Sequence, residues 1–103
     1  MVFEIAMKIE EFKRSLAVDD PPAGITEALV ALWWDARGDW EKAHSHAQDD
    51  EGRSGAWVHA YLHRKEGDHG NAGYWYRRAG KSFCEQSLSE EWLNITEELL
   101  SAG

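Results

Sequence analysis

Cysteine, proline, long apolar runs and positive charge are all scarce in this chain, and each scarcity excludes something. One cysteine in 103 residues rules out an internal disulfide and a cysteine zinc site. No apolar run approaches the roughly 18–20 residues that a membrane-spanning helix needs. The start, Met1-Val2-Phe3-Glu4, lacks the basic segment and apolar stretch of a secretory signal. A reduced, cytoplasmic setting is the expectation. Lys and Arg number 11 against 19 Asp and Glu, a net charge of −8, which argues against the broad positive footprint of a nucleic-acid binder. Phosphate loops, dinucleotide fingerprints and nucleophile elbows are missing as well, so catalysis is not the first expectation and no cofactor is called for.

What remains is 43% hydrophobic with six tryptophans, too apolar for disorder. Its length suits one domain, 1–103, with a single modest core. The apolar spacing is helical. Ile5, Ile9, Phe12 and Leu16 form one stripe, and Asp19-Asp20-Pro21-Pro22-Ala23-Gly24 breaks it. A second, nearly all-apolar helix runs from Ile25 to Gly38 and is expected to be central. Asp39 caps a third, Trp40 to about Gln48. Asp49-Asp50-Glu51-Gly52 turns the chain into a fourth helix ending near Glu66. A fifth carries Ala72, Trp75, Tyr76 and Ala79 and stops at Gly80. Ser87 with Glu90 forms a capping box for a sixth, striped by Leu88, Trp92, Ile95 and Leu99, with Glu90-Glu91 and Glu97-Glu98 expected on its solvent side. Short connections make neighbours antiparallel. The fold expected is all-α, about six helices.

A shift of 29 residues lays Gly38-Asp39 on Gly67-Asp68, Ala31 on Ala60, Trp34 on His63 and Ala43 on Ala72. Gly38-Asp39-Trp40-Glu41-Lys42-Ala43, and Gly67 to Ala72 followed by Tyr76 and Ala79, resemble the turn and second-helix start of tetratricopeptide repeats. His69 replaces that family's turn aromatic, position 47 is alanine, and the period is shorter than the usual roughly 34 residues. The resemblance implies two degenerate hairpins over 25–81, with 1–24 and 82–103 as capping helices and loops. The stretch from His59 to Lys81 is similar to small uncharacterised bacterial proteins, which brings no activity with it.

Chemistry concentrates in the middle of the chain. From Arg53 to Lys81 there are six bases and two acids, against five and seventeen elsewhere. Tyr74-Trp75-Tyr76-Arg77-Arg78 puts two guanidiniums beside three aromatics, and Arg both pairs with carboxylates or phosphates and stacks on rings. The reading is a binding module for an acidic peptide or small anion. Its groove would lie between the second, fourth and fifth helices, with Trp34, His59 and His63 as floor and Tyr74, Arg77 and Arg78 as rim. The bland alternative is that these arginines salt-bridge within the acidic remainder.

All five histidines fall between 44 and 69. His59 and His63, four apart, project from one helical face and are the candidate ligands of zinc or a similar divalent metal. His44 and His46 on the preceding helix, with Asp35, Glu66 or Asp68, would complete that site. The pair lacks the glutamate of the H-E-x-x-H protease pattern, and packing of His63 at the register of Trp34 explains it equally well. Cys84 is expected to be a buried thiol. A homodimer through exposed tryptophan is a third reading.

Overall fold

The computed structural model describes residues 7–102, so Ile5 and its place in the first stripe lie outside the described residues. Six helices follow in order: α1 (Ile9–Ser15), α2 (Glu27–Ala36), α3 (Trp40–Asp49), α4 (Arg53–Lys65), α5 (His69–Ala79) and α6 (Leu88–Ala102). No strand occurs among the described residues, and the protein is all-α. The capping box also forms: Ser87 N–H donates to Glu90 Oε1 (3.1 Å) and Glu90 N–H to Ser87 Oγ (3.1 Å).

The turn at the end of α2 recurs at the end of α4. Gly38 and Gly67 have φ of +85° and +89°, a region open to glycine because it has no Cβ. Gly38 N–H donates to the Asp35 carbonyl and Asp39 N–H to that of Trp34, both at 2.9 Å. Gly67 N–H and Asp68 N–H reach Arg64 and His63 in the same pattern, at 3.1 and 2.9 Å. This pair of bonds satisfies helix-end carbonyls. Asp39 and Asp68 then accept from Lys42 N–H (3.0 Å) and Asn71 N–H (3.2 Å), capping α3 and α5. Each turn folds the next helix back onto the last: α3 packs on α2 and α5 on α4. Ala31, Ala43, Ala60 and Ala72 are all fully buried, the small residues that let helix axes approach. Gly80 makes the same two bonds, from its own N–H and that of Lys81. No aspartate follows it, and the chain leaves as a loop to α6.

The hub is α4, which packs against α2, α3, α5 and α6, while α2 packs against α3, α4 and α6 and bonds to α1 through Trp33 Nε1 and Ser15 Oγ. The second helix is central as expected, with Ala28, Leu29, Ala31, Leu32 and Trp33 buried, and α4 shares that place. Counting apolar letters undervalued α4, because two of its buried residues are histidines. One core joins Phe12, Leu29, Leu32, Trp33, Val58, Leu62 and Ile95; a smaller one joins Ala60, Ala72 and Tyr76. Three tryptophans tie helices together. Trp33, Trp40 and Trp92 donate their indole N–H groups to Ser15 Oγ, the Leu62 carbonyl and the Leu32 carbonyl, each at 3.0 Å. The exposed large hydrophobics are Val18, Tyr74 and Phe83, while Trp33 is buried and the other five tryptophans are half-buried.

Two buried carboxylates pin the hub. Asp35 accepts from Tyr61 Oη (2.7 Å) and Lys65 Nζ (2.8 Å). Glu91 pairs with Arg64 (2.7 Å) and accepts from the Tyr76 hydroxyl. Glu91 is 3% exposed, which corrects its expected place on the solvent side of α6. Its helical position faces a tyrosine and an arginine rather than water, and these satisfy its charge.

Candidate functional site

The α3–α4 connection is drawn tight against the start of α4. Gly55 makes this feasible: a Cβ there would lie 2.0 Å from the Asp50 carbonyl oxygen. The last turns of α3 consequently stand beside α4. His44 comes from α3, and His59 and His63 lie one turn apart on α4. The three ring centroids are 4.6 Å (His44–His59), 5.2 Å (His44–His63) and 4.8 Å (His59–His63) apart. One ring nitrogen from each falls within 4.8 Å of the others. Aromatic walls close the group. Trp40 stacks on His44 at 4.8 Å and 11°, and Trp75 of α5 stacks on His59 at 3.9 Å and 11°.

His59 and His63 are buried and His44 half-buried. His63 Nδ1 is 2.6 Å from Glu66 Oε1. The ring nitrogens of His44 and His59 hydrogen-bond to no protein group among the described residues. Burial pushes the His59 pKa down to about 4, and the adjacent His44 and His63 push the same way. The pKa of His44 is lowered chiefly by burial and next by His63, with Glu66 and Glu41 opposing. Both are neutral imidazoles at neutral pH. Of the residues expected to complete this group, His44 joins the two histidines, and Glu66 and Asp68 lie beside His63. Asp35 is committed to Tyr61 and Lys65, and His46 pairs instead with Glu27 on the surface (2.9 Å).

A cleft of about 470 Å³ adjoins the cluster, lined by Gln48, Asp50, Arg53, His59, Trp75 and Arg78 among others. It is lined by residues of α3, α4, α5 and the α3–α4 connection and by none of α2. Trp34 is accordingly elsewhere: it meets Trp33 edge-on at 4.9 Å and carries Lys42 Nζ over its ring at 4.1 Å. Of the expected site residues, His59, His63, Tyr74 and Arg78 form a continuous line through Trp75. Arg78 lies 5.2 Å over Trp75 and 5.8 Å over Tyr74. Arg77 is exposed and outside the cleft lining. Arg53 and Trp75 are the cleft residues that sequence reasoning passed over as site residues. The signal for Trp75 was present, next to Tyr74, but it was read as core.

The basic segment divides evenly. Arg64, Lys65 and Lys81 make ion pairs with Glu91, Asp35 and Glu98. Arg53, Arg77 and Arg78 make none among the described residues. Cys84 is half-buried and bonds weakly to Gln86, with no contact to the histidines. No described helix is long and apolar enough to cross a membrane. Comparison of the chain with family models, curated proteins and solved structures returned no match.

Proposed function

We propose that this protein is a helical-hairpin binding module of tetratricopeptide-like construction that holds an anionic ligand in the α3–α4–α5 cleft. The observation that carries the reading is the pair Arg78 and Arg53. In a chain of net charge −8, both residues line one cleft, and neither makes an ion pair among the described residues. Arg78 is held over Trp75 and Tyr74, and its NH1 also donates to Tyr74 Oη (3.2 Å). Its position is thus set before a ligand arrives, which lowers the entropy cost of binding. Two acids, Asp50 and Glu51, also line the cleft, and Asp50 is engaged by Gly52 N–H (2.8 Å). The volume falls in the range of small-molecule sites, about 300–1,000 Å³. It suits a carboxylate- or phosphate-bearing small molecule or an acidic peptide side chain.

Calorimetric titration with citrate, nucleotides, inorganic phosphate and an oligo-glutamate peptide tests this. At least one should bind, and Arg53→Ala with Arg78→Ala should weaken it by about tenfold or more, the worth of lost charge-assisted bonds. Affinity unchanged in the double variant, or no binding by any of the four, removes the anion reading.

A further inference from the structure

The three histidines ask for an explanation that the anion cleft does not give. A buried imidazole normally has its nitrogens hydrogen-bonded. The His59 residue is 3% exposed, yet neither of its nitrogens bonds to a protein group among the described residues; they keep access to solvent, beside the rings of Trp75, His44 and His63. His63 is different in an instructive way. Its Nδ1 is held by Glu66, which fixes the ring and leaves Nε2 as the remaining coordinating atom. A carboxylate on the outer nitrogen is the arrangement that orients histidine ligands of metals.

We propose that His44, His59 and His63 form a tri-histidine site for a divalent first-row transition metal, zinc foremost, with Glu66 as the positioning residue behind His63. This goes beyond the anion reading and shares His59 and Trp75 with it. The donor set selects the metal class. Three imidazoles without thiolate or carboxylate suit zinc, copper, nickel or iron, and do not suit calcium or magnesium. The spacing fits with little movement. Two nitrogens bound to one zinc at about 2.0–2.1 Å stand roughly 3.4 Å apart, and the three here already lie within 4.8 Å. The ligands come from two helices that the Gly55 contact holds together, and Trp40 and Trp75 restrict the rings from both sides. Three protein ligands leave a fourth position for water or for an anion, the coordination of reactive rather than purely structural zinc sites.

Of the other two candidate groups, His63 with Glu66 and Asp68 shares its histidine with this site, and the group around His46 fails on these criteria. His46 lies with Glu27 and Asp49 on the surface, its ring nitrogen already paired. It therefore serves as the control.

The experiment uses the full chain, stripped with chelator and titrated with Zn²⁺, Ni²⁺ and Co²⁺ by calorimetry and by cobalt visible absorption. The expected result is one metal per chain at micromolar affinity or better, with a rise in thermal midpoint. His44→Ala, at a half-exposed position that should not disturb folding, and His63→Gln should each weaken binding by at least about 100-fold, and Glu66→Gln by about 10–100-fold. His46→Ala should bind as the wild type does. Far-UV circular dichroism confirms that each variant is folded, and a variant that is unfolded is replaced by the Glu66→Gln result. Absence of stoichiometric binding by the wild type overturns the proposal, as does binding that survives His44→Ala or is lost in His46→Ala. Arg53→Ala with Arg78→Ala should leave metal affinity intact, so failure of the anion reading is told apart from failure of this one.

Discussion

The α2–α3 and α4–α5 hairpins use one turn and fill it with different chemistry. Gly38 and Gly67, Asp39 and Asp68, and Ala43 and Ala72 match in dihedral angle, capping bond or burial at a spacing of 29 residues. On the inner faces the match stops. Val30 and Trp34 of the first hairpin correspond to His59 and His63 of the second. Trp34 packs on Trp33 and Lys42, while His63 sits in a cluster of imidazoles with Glu66 behind it. The difference teaches which positions the architecture constrains. A helix end needs a residue free to take positive φ and a side-chain cap, and a close crossing needs a small residue. A flat side chain beside the crossing satisfies the packing whether it is indole or imidazole, so that position is free to carry function.

The buried carboxylates offer the largest test of this contrast. Glu91 holds Arg64 and Tyr76 of the second hairpin, and the Arg64 side chain is only 14% exposed. Glu91→Ala should cost about 3–5 kcal/mol, the usual consequence of leaving a buried charge without its partner. Asp35, which links the two hairpins, is equally buried, but Lys65 is 39% exposed and can turn to water. Asp35→Ala should cost about 1–3 kcal/mol. Urea denaturation measures both, and the reverse order would mean that the link between hairpins, not the grip on α4–α5, dominates.

The next effect belongs to the second hairpin alone. The unfolded chain protonates His59 near 6.5, whereas the folded protein resists until about 4. Stability is therefore full above about pH 6.5 and falls as pH drops towards 4, by about 3 kcal/mol at most. His44, whose pKa is lowered in the same direction, adds to the slope. Denaturation at a series of pH values in chelator should show this loss, and His59→Gln should flatten it. A profile identical in the variant would assign the slope elsewhere.

The smallest effects should be the ones the hairpins share. At Gly38 and Gly67 no atom lies within 4 Å of an added Cβ, so alanine meets backbone strain alone, about 1–2 kcal/mol at each. Asp39→Ala and Asp68→Ala should each cost about 1 kcal/mol as lost caps. Thermal unfolding of the four variants should give two matched pairs, and a clear mismatch within a pair would break the equivalence of the turns.

Much of this was legible beforehand where the cause is local. Gly38, Asp39 and the Ser87–Glu90 box announce helix ends through backbone chemistry confined to a few residues. The candidate site was legible by halves. The four-residue spacing put His59 and His63 on one face, and Tyr74-Trp75-Tyr76-Arg77-Arg78 marked the aromatic wall with its guanidinium. Glu91 was misplaced because a carboxylate reads as solvent-facing until Tyr76 and Arg64 are seen opposite it. Trp34 was assigned to the groove by register, and register cannot say which neighbour a face meets.

By itself, then, the sequence determined the six helices, their caps, the 29-residue echo and a middle segment rich in histidine and base. These follow from interactions within a turn or two of the chain. Tertiary packing alone makes α4 the hub, brings His44 to His59 and His63, and sets Arg53 and Arg78 in the lining of one cleft. Those juxtapositions depend on how helices cross, and the crossing is fixed by close contacts such as Gly55 against Asp50 and by buried pairs such as Glu91 with Arg64. Such contacts join residues whose spacing in the chain carries no periodic signal.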